Sequence, residues 1–198
     1  MSQTWAHIKN KLSFWDDMYK SGHHQKTWNL ESASTELISL LMALQLPSGS
    51  RCLDVGCGAG ADIKYLAEEG FSVTGIDFSS VAINLAKARL RKFKVDLLVG
   101  DILTTKFKKP FDLITDRGCF HHIARGKRIL YAETINNSLK SGGYLFLRGC
   151  RIDGDMWIPI ILNELKILFP YFNVLGFSSF RYEAPVSIPG AIALLQKA

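Results

Sequence analysis

The sequence predicts an α/β fold: a doubly wound, seven-stranded sheet with an antiparallel C-terminal strand and an N-terminal helical flap. Three observations carry this expectation. Through the middle of the chain, short apolar runs alternate with amphipathic segments, the rhythm of β-α-β units. The tail then sets "YFNVLGFSSFRYEA" and "VSIPGAIALLQKA" in succession with no helical pattern between them, and strands joined so directly pair antiparallel. Ahead of the first strand, "SFWDDMYKSG" and "SASTELISLLMALQ" both read as helices.

Five strands are expected at residues 51–55, 72–76, 95–99, 111–115 and 143–148. Helices are expected at 61–69, with Ile63, Leu66 and Ala67 on one face, and at 81–90, with Val81, Ala82, Leu85, Ala86 and Leu90. Ser79 or Ser80 is a natural N-cap for the second, and Gly70 a natural stop for the first. Residues 127–139 and 156–168 supply two more helices, the last ended by Pro170. Ser13 with Asp16 has the spacing of a capping box.

With 198 residues the chain suits one domain, read as a helical cap over 1–46 and a core over 47–198. Apolar residues at 47% and charged ones at 21% are ordinary globular usage, which argues against a disordered or fibrous chain. The start, "MSQTWAHIKNKLSFW", lacks the apolar core of a signal peptide, and "WIPIILNELKILF" carries Asn163, Glu164 and Lys166, against a membrane span. A cytoplasmic protein is expected. Its four cysteines, Cys52, Cys57, Cys119 and Cys150, lack C-x-x-C spacing, so reduced thiols are expected rather than a zinc site. The histidine pair His23 and His24 has no further ligand nearby, and a solvated loop explains it better than a metal. A charge of +6 is modest and scattered, favouring an anionic substrate or weakly favouring nucleic acid.

The strongest motif is "LDVGCGAGA", which follows the first strand and opens a helix. Gly56, Gly58 and Gly60 let the backbone turn tightly and approach a ligand, with N–H donors at the helix start. The string alone also fits a dinucleotide fingerprint. Its acidic neighbours narrow the choice. Asp54 stands before the glycines, where a pyrophosphate gains nothing and a cationic amino acid gains a partner. Asp77, in "GIDFSS", is placed to accept both hydroxyls of a ribose. Asp101, in "VGDI", can accept from the exocyclic amine of adenine. Ribose, adenine and a positive charge together describe S-adenosylmethionine.

At these spacings "LDVGCGAG", "GIDFS", "VGDI" and "FDLITD" resemble the class I S-adenosylmethionine-dependent methyltransferases, from about residue 51 through the antiparallel tail. The resemblance implies a Rossmann-like sheet and extends the cofactor contacts to Cys57, Phe78, Ser79 and Ile102. It also implies that the fourth strand ends beside the transferable methyl group. "FDLITDRGCFHHI" then brings Asp116, Arg117, His121 and His122 to the reaction site, with Asp116 touching the cofactor as well. More narrowly, "DLITDRG" with "RILYAETI" is similar to the thiopurine and thiol S-methyltransferase-like branch, as is "FWDDMYKSGHHQKTW". That likeness implies cofactor-covering roles for Trp15, Tyr19 and Trp28, and a substrate contact for Arg117. In place of the branch's Gly-Pro-Pro-Phe element stands "LRGCRIDGDMWIP", so the acceptor is expected to be a small molecule, a thiol favoured, rather than a thiopurine.

A thiolate attacking a sulfonium destroys charge, a step helped by a dry site and needing little acid–base assistance. Arg117 can stabilise the thiolate, and His121 or His122 is the general base if one is used. Cys119 is expected to be a small pocket residue. Three other readings stay open: an RNA methyltransferase, an NAD-dependent oxidoreductase, and a non-catalytic cofactor-binding module. No metal and no membrane partner is expected.

Overall fold

The computed structural model describes residues 12–28, 32–154, 157–182 and 187–198. Seven strands form one sheet: β1 (Arg51–Val55), β2 (Ser72–Asp77), β3 (Asp96–Val99), β4 (Phe111–Arg117), β5 (Leu139–Cys150), β6 (Phe172–Arg181) and β7 (Pro189–Lys197). Their order is β3-β2-β1-β4-β5-β7-β6. The first five pair in parallel, and β7 runs antiparallel between β5 and β6. The chain winds outward from β1 to β3, then restarts at β4 on the other side of β1. That reversal opens a crevice at the carboxyl ends of β1 and β4, where open α/β sheets bind ligands.

Helices cover both faces, so the parallel strands are apolar on both sides. On one face, Cys52, Leu113 and Phe146 pack against α3 (Thr35–Leu44), α4 (Ala61–Glu68) and α5 (Ser80–Arg89) through Leu37, Ile63, Leu66 and Ile83. On the other, Leu53, Ile114 and Leu145 pack against α6 (Arg128–Ser138) and α7 (Leu162–Leu168) through Tyr131, Ile135 and Leu165. Ser79 caps α5, its hydroxyl accepting from the Ala82 N–H at 3.1 Å. Gly70 follows the end of α4 with φ +83°, the left-handed stop its position in the sequence predicts.

The flap begins with α1 (Leu12–Lys20) and α2 (His23–Thr27), the second unforeseen. The Ser13–Asp16 capping box does not form: Ser13 already lies inside α1, and Asp16 instead accepts from the Ser79 hydroxyl at 2.5 Å and the Val81 N–H at 3.4 Å. A side chain chosen for a local cap thus fastens the flap to the start of α5.

The helix expected over 156–168 is also shorter: Met156 lies outside the described residues, as does 183–186 in the tail, and α7 starts only at Leu162. Pro159 disfavours helical backbone at Ile158. The extended segment is used by its neighbours. Ile158 N–H donates to the His121 carbonyl at 2.8 Å, and Ile160 N–H to that of Cys150 at 3.0 Å. Its own carbonyls accept from the fully buried Arg128: Ile158 at 2.8 Å and Pro159 at 3.1 Å. The same guanidinium donates to the carbonyls of Ile123 and Phe120, pairs with Glu164 at 2.5 Å, and lies 4.1 Å above the Phe120 ring.

Arg128 therefore joins the turn after β4 to the segment after β5. Arg128→Met strips four carbonyls and one carboxylate of their donor, and is expected to lower the unfolding free energy by about 3–5 kcal/mol. Urea denaturation measures it, and a loss below about 1 kcal/mol would refute the bridging role.

Candidate functional site

The loop between β1 and α4 is shaped by backbone that only glycine adopts easily. Gly56 has φ +64°, and a Cβ there would lie 2.7 Å from that of Cys119, so this loop touches the turn after β4. Gly58 has φ +54°, and its Cβ would lie 2.7 Å from the Tyr19 hydroxyl of α1. Gly60 occupies the N-cap of α4, also left-handed. The turn after β4 and helix α1 thus meet over one loop, leaving no room for a Cβ at Gly56 or Gly58.

Asp77, at the end of β2, accepts from the Gly58 N–H and the Ser79 N–H, each at 2.8 Å. Burial raises its pKa, and these two bonds oppose the rise. Asp54, at the end of β1, accepts from the Thr115 hydroxyl at 2.9 Å. Burial and the neighbouring Asp62 hold its carboxyl well above the usual range. An arriving cation would favour its ionised form. Asp101 accepts from the Leu103 N–H at 2.9 Å, closing a turn, with Ile102 buried beside it. Cys57 is buried, and Phe78 lies partly exposed between Asp77 and Ser79.

The aromatic residues of the flap cluster above this loop. Tyr19 is buried, its phenol pushed up chiefly by burial and next by Asp77. Its ring lies 6.1 Å from that of Trp28, and Trp28 lies 6.0 Å from Trp15. Trp15 meets His122 edge-on at 4.8 Å, so the flap reaches the turn after β4. His23 lies 5.9 Å from Trp28, and His24 is buried against Tyr19.

In that turn Asp116 is buried and accepts from the Cys119 N–H at 2.8 Å, the Phe120 N–H at 3.0 Å and the Tyr131 hydroxyl at 2.8 Å. Burial lifts its pKa to about 6 against the pull of these donors. Its carboxylate therefore holds the turn. Arg117 points to the opposite face and pairs with Asp62 in the first turn of α4 at 2.8 Å. The Cys150 N–H donates to Nδ1 of His121 at 2.9 Å, which leaves the His121 proton on Nε2. That nitrogen faces Nε2 of His122 at 3.1 Å, where one proton serves both rings. Burial and the surrounding carboxylates push the Cys119 thiol well up, which suits a packing role.

Asp54, Asp77, the three glycines, the flap aromatics and Arg117 thus gather at one end of the sheet. Asp16, Asp62, Thr115 and Tyr131 join them unforeseen. An acid two residues past Gly60 was the available signal for Asp62; nothing local marks its pairing with Arg117. Among the described residues, no group of three or more His, Cys, Asp or Glu is arranged to hold a metal ion.

A glycine loop at the switch point, ringed by strand-end carboxylates under a helical flap, lies where open α/β sheets bind ligands. The profile of the family described as "Methyltransferase domain" matches residues 52–143. An uncharacterised methyltransferase of Schizosaccharomyces pombe is 35% identical over 48% of this chain and 68% of its own length. The human EEF1A lysine methyltransferase 2 is 27% identical over 85% of this chain and 78% of its own. A probable thiol methyltransferase 2 of Arabidopsis thaliana is 28% identical, with 86% and 76% covered. Among solved structures, the Burkholderia thailandensis 1,6-didemethyltoxoflavin-N1-methyltransferase with bound S-adenosylhomocysteine superposes with TM-score 0.77 at 21% identity, covering 94% of this chain and 87% of that one. The chain belongs to the class I S-adenosylmethionine-dependent methyltransferases, with S-adenosylmethionine as cofactor.

The pKa of Asp116 yields a signed prediction. A carboxyl near 3.8 in the unfolded chain and about 6 in the fold stabilises the protein below 3.8, and that stabilisation is lost as pH rises through 6. Asn cannot ionise. Relative to wild type, Asp116→Asn should therefore gain roughly 2–3 kcal/mol between pH 4 and pH 7.5. Urea midpoints at both pH values measure this, and a constant difference would refute it.

Proposed function

We propose that this methyltransferase acts in the cytoplasm on a small molecule, a thiol or other soft nucleophile, by one direct displacement. The single observation that carries the reading is Arg117, a cation at the tip of β4 whose one ion pair among the described residues is to Asp62 at 2.8 Å. Residues 1–46 serve as a cap on a core of 47–198 within one domain.

The residues present suit the cofactor. Asp77 would take the ribose hydroxyls, Asp101 with Ile102 the adenine, and Asp54 the cationic amino acid end. Gly56, Cys57, Gly58 and Gly60 offer the backbone, Phe78 and Ser79 the rim, Asp116 the wall near the methyl group, and Trp15, Tyr19 and Trp28 the cover. The cofactor supplies an electrophilic methyl group on a sulfonium sulfur. Arg117 holds the acceptor as an anion, lowering the pKa of a thiol brought beside it. The flap excludes water, which strengthens that interaction.

A general base is optional for a thiolate. His121 and His122 fill the role only if their shared proton moves, since the one available lone pair on Nε2 of His122 is already engaged. The Arabidopsis relative's name supports a thiol, while the human relative's name raises a protein lysine. Arg117 favours the thiol: an approaching ammonium gains nothing from a guanidinium, whereas a thiolate does.

Calorimetry with S-adenosylhomocysteine, then a screen of thiol, phenol and amine acceptors, tests the reading. Asp77→Ala should weaken S-adenosylhomocysteine by at least about 30-fold, as expected for losing charge-assisted hydrogen bonds. Unchanged affinity would contradict the ribose assignment. Arg117→Ala should lower kcat on the best thiol by about 100-fold while shifting cofactor Kd less than about threefold. An unaltered rate would take Arg117 out of the mechanism.

A further inference from the structure

Two arginines lie near the site, Arg128 fully buried and Arg148 partly so, and they are treated differently by the fold. Every face of Arg128 is met by carbonyls, a carboxylate and a ring. Arg148, in β5, makes no side-chain hydrogen bond to a described residue, although its Nε is buried. Glu36 of α3 lies 3.3 Å from that nitrogen, but outside hydrogen-bond geometry. The guanidinium carbon sits 4.6 Å from the ring centres of both Phe180 and Tyr182. Aromatic faces fix the plane of a guanidinium while leaving its edge, with its N–H donors, open. A buried donor without an acceptor is costly, and such groups in native folds call for an explanation.

Position supplies one. Arg148 is the register partner of Arg117 across the parallel β4–β5 ladder, so their Cα atoms are about 4.8 Å apart and their side chains share a face. Arg117 reaches Asp62 and Arg148 reaches Glu36, both on the face covered by α3 and α4. From Glu36 a groove of about 440 Å³ runs between α3 and the sheet, past Ser39, Phe146, Phe177, Ile192 and Leu194. Its size suits a small molecule. Glu36, which lies 3.3 Å from Arg148, is one of its lining residues.

We propose that Arg148 is the anion-recognition residue of the acceptor site, so that the methyl acceptor carries a carboxylate beside its nucleophile. This rests on the small-molecule reading given above. An incoming carboxylate takes the open N–H edge in the two-point geometry that guanidinium and carboxylate share. Glu36 is a weak internal substitute, correctly charged but misaligned. Phe180 and Tyr182 hold Arg148 in place, and Arg117 next to it serves the nucleophile.

The test pairs 3-mercaptobenzoate with its neutral primary amide, each titrated into protein loaded with S-adenosylhomocysteine and each tried as acceptor with S-adenosylmethionine. The acid should bind at least about tenfold tighter than the amide, the range of a charge-assisted bond. Arg148→Gln should erase that preference while sparing the amide, and Arg148→Lys should keep part of it. Glu36→Gln, which removes the internal competitor, should tighten the acid and leave the amide unchanged. Equal binding of acid and amide by wild type overturns the proposal, as does a loss of amide or S-adenosylhomocysteine affinity in Arg148→Gln. If that variant does not fold, the wild-type and Glu36→Gln comparisons decide alone. Preferential binding of the acid without methyl transfer to either compound would uphold the anion site and refute the thiol acceptor.

Discussion

Burial of carboxylates at one edge of the sheet governs the design of this molecule. Asp54, Asp62, Asp77 and Asp116 are all nearly inaccessible to solvent and all belong to the ends of β1, β2 and β4 or the start of α4. Crowding ionised acids in a low-dielectric cleft is unfavourable unless donors meet each one. The fold supplies them: Thr115 for Asp54, Arg117 for Asp62, two backbone N–H groups for Asp77, and a turn with Tyr131 for Asp116. Burial raises the pKa values of Asp54, Asp77 and Asp116 against the pull of these donors. A cation placed among these carboxylates would favour their ionised forms.

The same region ties the flap to the core. Asp16 crosses from the flap to the hydroxyl of Ser79, two residues beyond Asp77. The Tyr19 hydroxyl lies 2.7 Å from where a Cβ on Gly58 would sit. Flap and glycine loop therefore share one set of contacts. Across the switch point, the turn that Asp116 holds is the turn that Arg128 ties to the segment after β5. That side of the crevice is thus braced by Arg128, with Arg117 and Arg148 side by side on the opposite face of the sheet.

Much of this was legible in the one-dimensional pattern. The glycine spacing, the acids closing successive strands and the Ser79 cap depend on neighbours within a few residues, and local sequence encodes such geometry. Where the pattern misled, a distant partner had displaced a local one: Asp16 left its capping box for Ser79, and the Ile158–Ile160 backbone left a helix for Arg128 and β5. "FDLITDRG" marked a site-bearing strand end, yet which of its charged residues faces the cleft follows from strand alternation. Asp116 turns to the α6 face and Arg117 to the α4 face.

The sequence by itself determined the fold class, the cofactor loop and the carboxylates around it, because strand and helix periods and glycine backbone freedom are local properties. Only the tertiary structure decided that the last strand inserts between β5 and β6, where Ala191, Ala193 and Leu195 are fully buried while β6 takes the exposed edge. It alone decided that Arg128 meets carbonyls and a carboxylate, while Arg148 Nε, among the described residues, has no hydrogen-bond partner. Those outcomes rest on which side chains, scores of residues apart, compete for the same buried hydrogen-bonding partners, and no window of neighbours contains that competition.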